Sequence, residues 1–288
     1  MAAVLGIDAA WTERNASGYA LVEEIEGRWR LKAAAPDIAA FAEECGLPYE
    51  EGGAGFALRC AERKLGGRLP EIVAVDMPLS RLPITGRRAS DLGVSRRFGA
   101  PKCATHSPSA DRPGIVSGKL HAACKARGYS LLTARRPEEG RWLAEVYPHP
   151  ALLRLMGAEE RLPYKVNKTL TYWPNKTPQE RLARVKLSLR GIVERLDEEI
   201  DGVVATIDRA FDLEGAERFS VLKPLEDTID AIVAAWVGIT ILQGAAEPIG
   251  DADSAIWIPA ADWASMSRVL AEAAPAQRLA LASALESH

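Results

Sequence analysis

Apolar and polar residues follow two patterns along the chain, short runs typical of strands and longer periodic stretches typical of helices. The first run ends on Asp8, and turn-forming polar residues separate it from two further runs, which predicts an antiparallel three-stranded opening. A buried strand with Asp76 near its end is expected next, since Pro78 stops the run. The predicted strands cover residues 3–8, 19–27, 28–35, 71–79, 141–151 and, as a short last strand, 255–259.

Helical periodicity dominates the second half of the chain. A helix at 178–196 has Pro178 near its first turn, and the clearest helix is expected to begin at Pro224 and to end at Gly244. The order of elements predicts an α/β chain with a mixed sheet. The helices are predicted at residues 36–46, 52–67, 115–128, 178–196, about 199–213 and 223–244, with an Ala-rich helical tail at 263–288.

Length and composition narrow the class of protein. The chain has 288 residues, 48% of them hydrophobic, which is enough for one sizeable core. Its four cysteines show no C-x-x-C spacing, so a zinc site or disulfide framework is not expected, and a reducing cytoplasmic location fits best. No signal peptide is recognisable, and no apolar run of about 18 residues predicts a membrane span.

Charge is strongly segregated, although the net charge is only −3. Residues 81–136 contain 12 basic and 2 acidic side chains, and residues 161–195 contain 9 and 2. The first block falls within an Arg-, Ser-, Pro- and Gly-rich insertion at 80–140. Two basic blocks in an otherwise acidic chain favour a polyanionic partner or substrate, DNA or RNA above all, although an uneven solvated surface would give the same pattern.

Acidic residues recur where the predicted elements end or meet. Asp8 and Asp76 end strands, and Glu145 lies inside one. Asp227 and Asp230 share a helix face that also carries small residues, so that helix could approach the sheet closely and bring its acids to Asp8. Each acid also has an ordinary structural explanation: a turn cap, a helix N-terminus or a solvent-facing edge position.

Clustered carboxylates repel one another unless a cation neutralises them. Oxygen ligands suit Mg²⁺ or Mn²⁺, and two such ions about 3.5–4 Å apart could hydrolyse a phosphodiester. The cofactor expected from these acids is therefore Mg²⁺ or Mn²⁺.

Several other polar residues are candidates for binding a phosphate-rich substrate. An arginine fork suits phosphate oxygens, although Arg87, Arg88 and Asp91 could form a structural ion pair instead. Lys165 and Arg181 could bind phosphate or neutralise the carboxylates, but could equally face solvent. His149 could shuttle a proton or serve as a structural hydrogen-bonding group. The substrate-binding candidates are Arg87, Arg88, Lys165, Arg181 and His149.

Five short motifs resemble one family in sequence and order: G-I-D-A-A at 6–10, V-D-M-P-L at 75–79, R-R-A-S-D at 87–91, E-V-Y-P-H-P at 145–150 and D-T-I-D-A at 227–231. They resemble an uncharacterised family, a domain of unknown function, of predicted ribonuclease-H-like nucleases, over about residues 3–260. The resemblance implies one domain over 1–262, with a mixed five-stranded sheet flanked by helices and the basic insertion between its fourth and fifth strands.

The same resemblance implies a metal-dependent nuclease acting by a two-metal mechanism. Its implied catalytic residues are Asp8, Asp76, Glu145, Asp227 and Asp230. The four aspartates among them are the implied metal ligands, whereas Glu145 is matched by motif alone.

Two other functions are compatible with the sequence. Actin-like phosphotransferases share a G-I-D start, but Ala9 and Ala10 replace the Gly-Thr expected of a phosphate-binding hairpin. A non-catalytic protein that binds nucleic acid or another anion through a degenerate site is the other alternative.

Overall fold

The structure, a computed structural model, describes residues 1–12, 15–135 and 139–265. These residues form a mixed sheet with helices on both faces. The strands are β1 (Ala3–Asp8), β2 (Gly18–Ile25), β3 (Arg28–Ala35), β4 (Ile72–Val75), β5 (Tyr129–Leu131), β6 (Arg141–Val146), β7 (Ala246–Gly250) and β8 (Ala255–Pro259).

The strand order is β3-β2-β1-β4-β6-β8-β7, with β5 beside β6. Strands β1, β2 and β3 are antiparallel, as predicted, and β4 and β6 continue the sheet in parallel with β1. The predicted mixed sheet is confirmed, but the described residues contribute eight strands to it rather than five. Strand β5 has three residues and β7 contains Pro248, so neither carries a recognisable strand pattern.

The helices divide between the two faces of the sheet. The described helices are α1 (Ile38–Glu44), α2 (Gly53–Lys64), α3 (Ala89–Phe98), α4 (Ile115–Ala126), α5 (Pro148–Met156), a 3₁₀ turn (Val166–Lys168), α6 (Thr169–Tyr172), α7 (Pro178–Glu199), α8 (Val203–Ala210) and α9 (Phe219–Leu242). Helices α7, α8 and α9 share a core with one face, and α1, α2 and α4 with the other. No helix within the described ranges is long and apolar enough to cross a membrane.

Two local predictions differ from the structure, and a third is not tested by it. The run at 141–151 is a strand only to Val146, because Pro148 begins α5. The basic insertion holds α3 as well as the predicted α4. The predicted helical tail falls largely on residues 266–288, which lie outside the described residues.

Helix α9 begins five residues before Pro224, at Phe219, although the proline was expected to start it. Proline removes the hydrogen bond to the carbonyl of Ser220, four residues earlier. Ser220 is exposed, so water can satisfy that carbonyl and the extra turn survives.

Helix α9 is the central element of its face of the sheet. Its residues from Thr228 to Ile241 are all buried, consistent with the long apolar run that predicted it. The helix lies so close to β1 that a Cβ on Gly6 would come within 3.0 Å of the carbonyl oxygen of Ala231. This close approach puts the first half of α9 over the carboxyl end of β1.

Candidate functional site

Asp8 and Asp76 stand side by side at the carboxyl ends of two parallel strands. Ile7 pairs with Val75, and the Asp76 backbone N–H donates to the Ile7 carbonyl at 2.9 Å. Neighbouring strands lie about 4.8 Å apart, so residues at matching levels bring their side chains close together. No hydrogen bond or ion pair from the described residues reaches either carboxylate.

Both aspartates face α9, because side chains alternate between the two faces of a strand. Val4 and Ala74 belong to the core that contains α9, and Asp8 and Asp76 lie four and two residues further along the same strands. On the neighbouring strand, a Cβ on Gly18 would come within 3.0 Å of the carbonyl oxygen of Asp227. The α9 turn that carries Asp227 and Asp230 therefore covers the end of β1.

Asp230 is fully buried and has two partners. Tyr164 Oη donates to Asp230 Oδ1 at 2.6 Å, and Lys165 Nζ donates to Oδ2. Lys165 Nζ also lies 3.3 Å from Glu226 Oε1. The structure thus brings three of the predicted residues, Asp8, Asp76 and Asp230, to one place and sets Lys165 among them.

The other two acids of this helix turn, Glu226 and Asp227, form ion pairs with lysines. Lys223 Nζ lies 2.8 Å from Glu226 Oε1 and 2.5 Å from Asp227 Oδ1. The Val166 N–H also donates to Glu226 Oε2 at 2.6 Å. Asp227 therefore lies near the cluster and shares the Lys223 ammonium with Glu226.

Burial and mutual repulsion raise the pKa values of the two unpartnered aspartates. The pKa of Asp8 is well above its usual value because of burial first and the charge of Asp230 second, with Lys165 opposing. The same causes raise the pKa of Asp76 to about 7. Burial lowers the pKa of Lys165, but Asp230 and other neighbours outweigh it and hold that pKa well above the usual value. Lys165 is therefore a permanent cation in this site.

Glu145 lies on the opposite face of the sheet from these aspartates. It pairs in register with Val75, not with Asp76, and Val75 belongs to the core that contains α2 and α4. Arg88 holds its carboxylate with contacts of 2.5 and 2.7 Å, and the Leu79 N–H adds one of 2.7 Å. Its catalytic role stays a prediction, and its contacts give it a structural role.

Arg88 and Arg87 make structural contacts within the basic insertion. Arg88 also bonds both oxygens of Asp91, at 2.8 and 2.9 Å, so its buried guanidinium is fully engaged. Arg87 donates to the Asp91 carbonyl at 3.2 Å and to Ser95. The structural Arg-Asp pair left open by the sequence is what the structure contains.

The other two substrate-binding candidates differ in position. Arg181 lies over the ring of Phe219, 5.8 Å from its centroid, and its Nε is buried without a hydrogen-bond partner. His149 is buried on α5, with ring centroids 5.4 Å from Tyr147 and 5.7 Å from Tyr164. Through Tyr164, His149 adjoins the Asp230 cluster.

The sequence did not single out Tyr164, Glu226 or Lys223. Tyr164 lies in a basic loop, where no periodicity indicates a fully buried side chain. Glu226, next to Asp227, has an ordinary explanation in the sequence as an acid near a helix N-terminus. Because α9 begins earlier than predicted, Glu226 lies in the interior of the helix. Lys223 precedes Pro224 at the predicted start of that helix, whereas the structure places it one turn inside.

The donor set fits a hard divalent cation with two protein ligands. Within the described ranges, no three His, Cys, Asp or Glu side chains form a group that could hold an ion. Mg²⁺, however, often uses one or two carboxylates and completes its shell with waters and substrate phosphates. Asp8 and Asp76 are unpartnered carboxylates at adjacent strand ends and offer such a pair.

Comparisons with known proteins give a family and no closer relative. No curated protein matches this chain, and no solved structure does. The family described as "Protein of unknown function (DUF429)" matches residues 6–255, and the chain therefore belongs to that family.

Proposed function

We propose that this protein is a Mg²⁺- or Mn²⁺-dependent phosphodiester hydrolase of ribonuclease-H-like type that acts on DNA or RNA. The observation that carries the proposal is the pair Asp8 and Asp76, two carboxylates on neighbouring parallel strand ends that have no partner among the described residues. Unpartnered, half-buried acids with raised pKa values are costly unless a ligand uses them.

The strand order supports the ribonuclease-H-like assignment. The succession β3-β2-β1-β4-β6 has three antiparallel strands followed by two parallel ones, the arrangement that the sequence resemblance implies. In this proposal, strands β5, β7 and β8 are additions beyond β6 to such a sheet.

In this proposal, Asp8 and Asp76 would hold the cation and, through it, orient the scissile phosphate. A divalent ion bound there would supply Lewis acidity toward the phosphate oxygens and the attacking water. Hydrolysis joins the water oxygen to phosphorus and breaks the bond to the leaving oxygen, which gains a proton.

Lys165 contributes charge in this scheme, not a proton. Its raised pKa keeps it an ammonium at neutral pH, and Asp230 and Tyr164 fix its position. A preorganised cation beside the reacting phosphate stabilises the negative charge that develops in the transition state.

The test is cleavage of labelled single- and double-stranded DNA and RNA with Mn²⁺, Mg²⁺ or EDTA. We expect cleavage that needs the metal and falls about 10²-fold or more in Asp8→Asn and in Asp76→Asn. Glu43→Gln is the matched control, because Glu43 is exposed on α1, which packs on the opposite face of the sheet. Cleavage that survives Asp8→Asn would refute the proposal.

One observation favours a second candidate, a non-catalytic nucleic-acid-binding protein. Asp230 and Asp227 are already in ion pairs with Lys165 and Lys223, which leaves, among the described residues, two unpaired carboxylates where the sequence predicted four metal ligands. Binding of labelled nucleic acid that persists in EDTA, without cleavage at any metal concentration, would support this alternative.

A further inference from the structure

Three basic side chains near the carboxylates lack an acidic partner. Arg112, Arg161 and Lys168 form no ion pair with the residues that the structure describes. All three charges act on His106, whose pKa is lowered first by desolvation of its ring and then by Arg161, Lys168 and Arg112. Four basic groups from two separate loops therefore share one neighbourhood.

Hydrogen bonds hold the two loops together. The Arg161 N–H donates to the Pro101 carbonyl at 2.9 Å, and Tyr147 Oη donates to the Ala104 carbonyl at 3.1 Å. The Lys168 N–H donates to the Lys165 carbonyl at 2.9 Å. Lys168 therefore lies one helical turn after Lys165, the lysine that pairs with Asp230. The basic neighbourhood thus adjoins the carboxylate cluster by direct chain connection.

Two buried nitrogen atoms in this neighbourhood, Nδ1 of His149 and Nε of Arg161, have no hydrogen-bond partner in the part of the chain that the structure describes. His149 is 8% exposed, and its pKa lies well below the usual value because of burial first and the charges of Lys165 and Arg161 next. Buried polar groups are nearly always paired, so two orphaned nitrogens beside unmatched cations indicate that a ligand completes the site.

We propose that Arg161, Lys168, His106 and His149 form a binding site for a phosphate group next to Asp8 and Asp76. A phosphate oxygen accepts several charge-assisted hydrogen bonds, and an arginine fork matches its geometry. The use of this site rests on the proposed function, since it would hold a backbone phosphate beside the one that is cleaved. Binding of the phosphate group itself is independent of cleavage.

The experiment is calorimetric titration of the full chain with inorganic phosphate and pyrophosphate in EDTA. We expect binding that weakens about tenfold or more in Arg161→Gln and is largely kept in Arg161→Lys. Arg63→Gln is the control, because Arg63 is exposed on α2 and forms no ion pair with the described residues. Asp76→Asn should tighten phosphate binding, because it removes a negative charge from the neighbouring cluster.

Two results would overturn the inference: no detectable binding of either anion, or equal affinity in the native chain, Arg161→Gln and Arg63→Gln. Thermal unfolding of each variant checks that a loss of binding is not a loss of fold. A chain that binds phosphate through Arg161 but cleaves nothing would keep this inference and refute the hydrolase. A chain that cleaves but binds no phosphate would do the reverse.

Discussion

The Lys165 ammonium donates to the buried carboxylate of Asp230 and lies 3.3 Å from that of Glu226. Removing one partner of a buried ion pair leaves the other as an uncompensated charge, which costs about 3–5 kcal/mol. We expect Lys165→Gln to lose about that much free energy of unfolding in urea, and the double variant with Asp230→Asn to recover part of it.

Lys223→Gln is the matched control for Lys165. The Lys223 side chain is 40% exposed. When Lys223 is replaced, Glu226 still has its ion pair with Lys165. The expected loss is therefore only about 1 kcal/mol. Equal losses in Lys165→Gln and Lys223→Gln would contradict the central role of Lys165.

Asp76 predicts a pH dependence of the metal-free protein. Its pKa rises from about 4 in the unfolded chain to about 7 in the fold, so the folded state binds the extra proton between these values. Stability contributed by this group is therefore present at low pH and is lost as pH rises through 7. In EDTA, Asp76→Asn should remove about 2 kcal/mol of the decline in unfolding free energy between pH 5 and 8.

Glu43→Gln again serves as the control, and its stability should follow the native pH profile. Mg²⁺ should reverse the decline at pH 8 in the native chain, because the bound cation compensates the negative charge of the ionised Asp76 carboxylate. It should not do so in Asp76→Asn, which lacks that carboxylate. Identical pH profiles for the native chain and Asp76→Asn would show that Asp76 does not titrate near neutrality.

Local pattern accounts for much of what the sequence predicted. Apolar runs predicted β1 to β4, β6 and β8, and Asp8 and Asp76 were visible because each ends one of those runs. The face on which Glu145 lies depends on its pairing with Val75, a register that no local pattern specifies. Tyr164 is buried only because the loop around it folds onto α9, a contact between distant parts of the chain.

Substitution of Glu145 distinguishes a structural role of this residue from a catalytic one. Glu145→Gln leaves Arg88 buried without its main counter-charge, so we expect a loss of about 3 kcal/mol in unfolding free energy. The Mn²⁺ affinity of this variant, measured by calorimetry below its unfolding temperature, should stay within about twofold of the native value. The reason is that Glu145 faces away from Asp8. A metal affinity reduced as far as in Asp8→Asn would instead make Glu145 a metal ligand, in addition to the aspartates that the sequence resemblance implies.

Gly6 tests whether the close approach of α9 to β1 builds the site. In Gly6→Ala the new methyl would come within 3.0 Å of the Ala231 carbonyl oxygen and would push back the helix that carries Asp230. Because the obstacle is backbone, we expect a loss of about 3 kcal/mol or more, and weaker Mn²⁺ binding in whatever protein remains folded. Gly55→Ala is the control, since a Cβ there would meet only the Ala123 Cβ at 4.0 Å, and alanine favours the helix α2. If Gly6→Ala were as stable as Gly55→Ala and bound Mn²⁺ equally well, the helix would not need to approach the strand this closely to form the site.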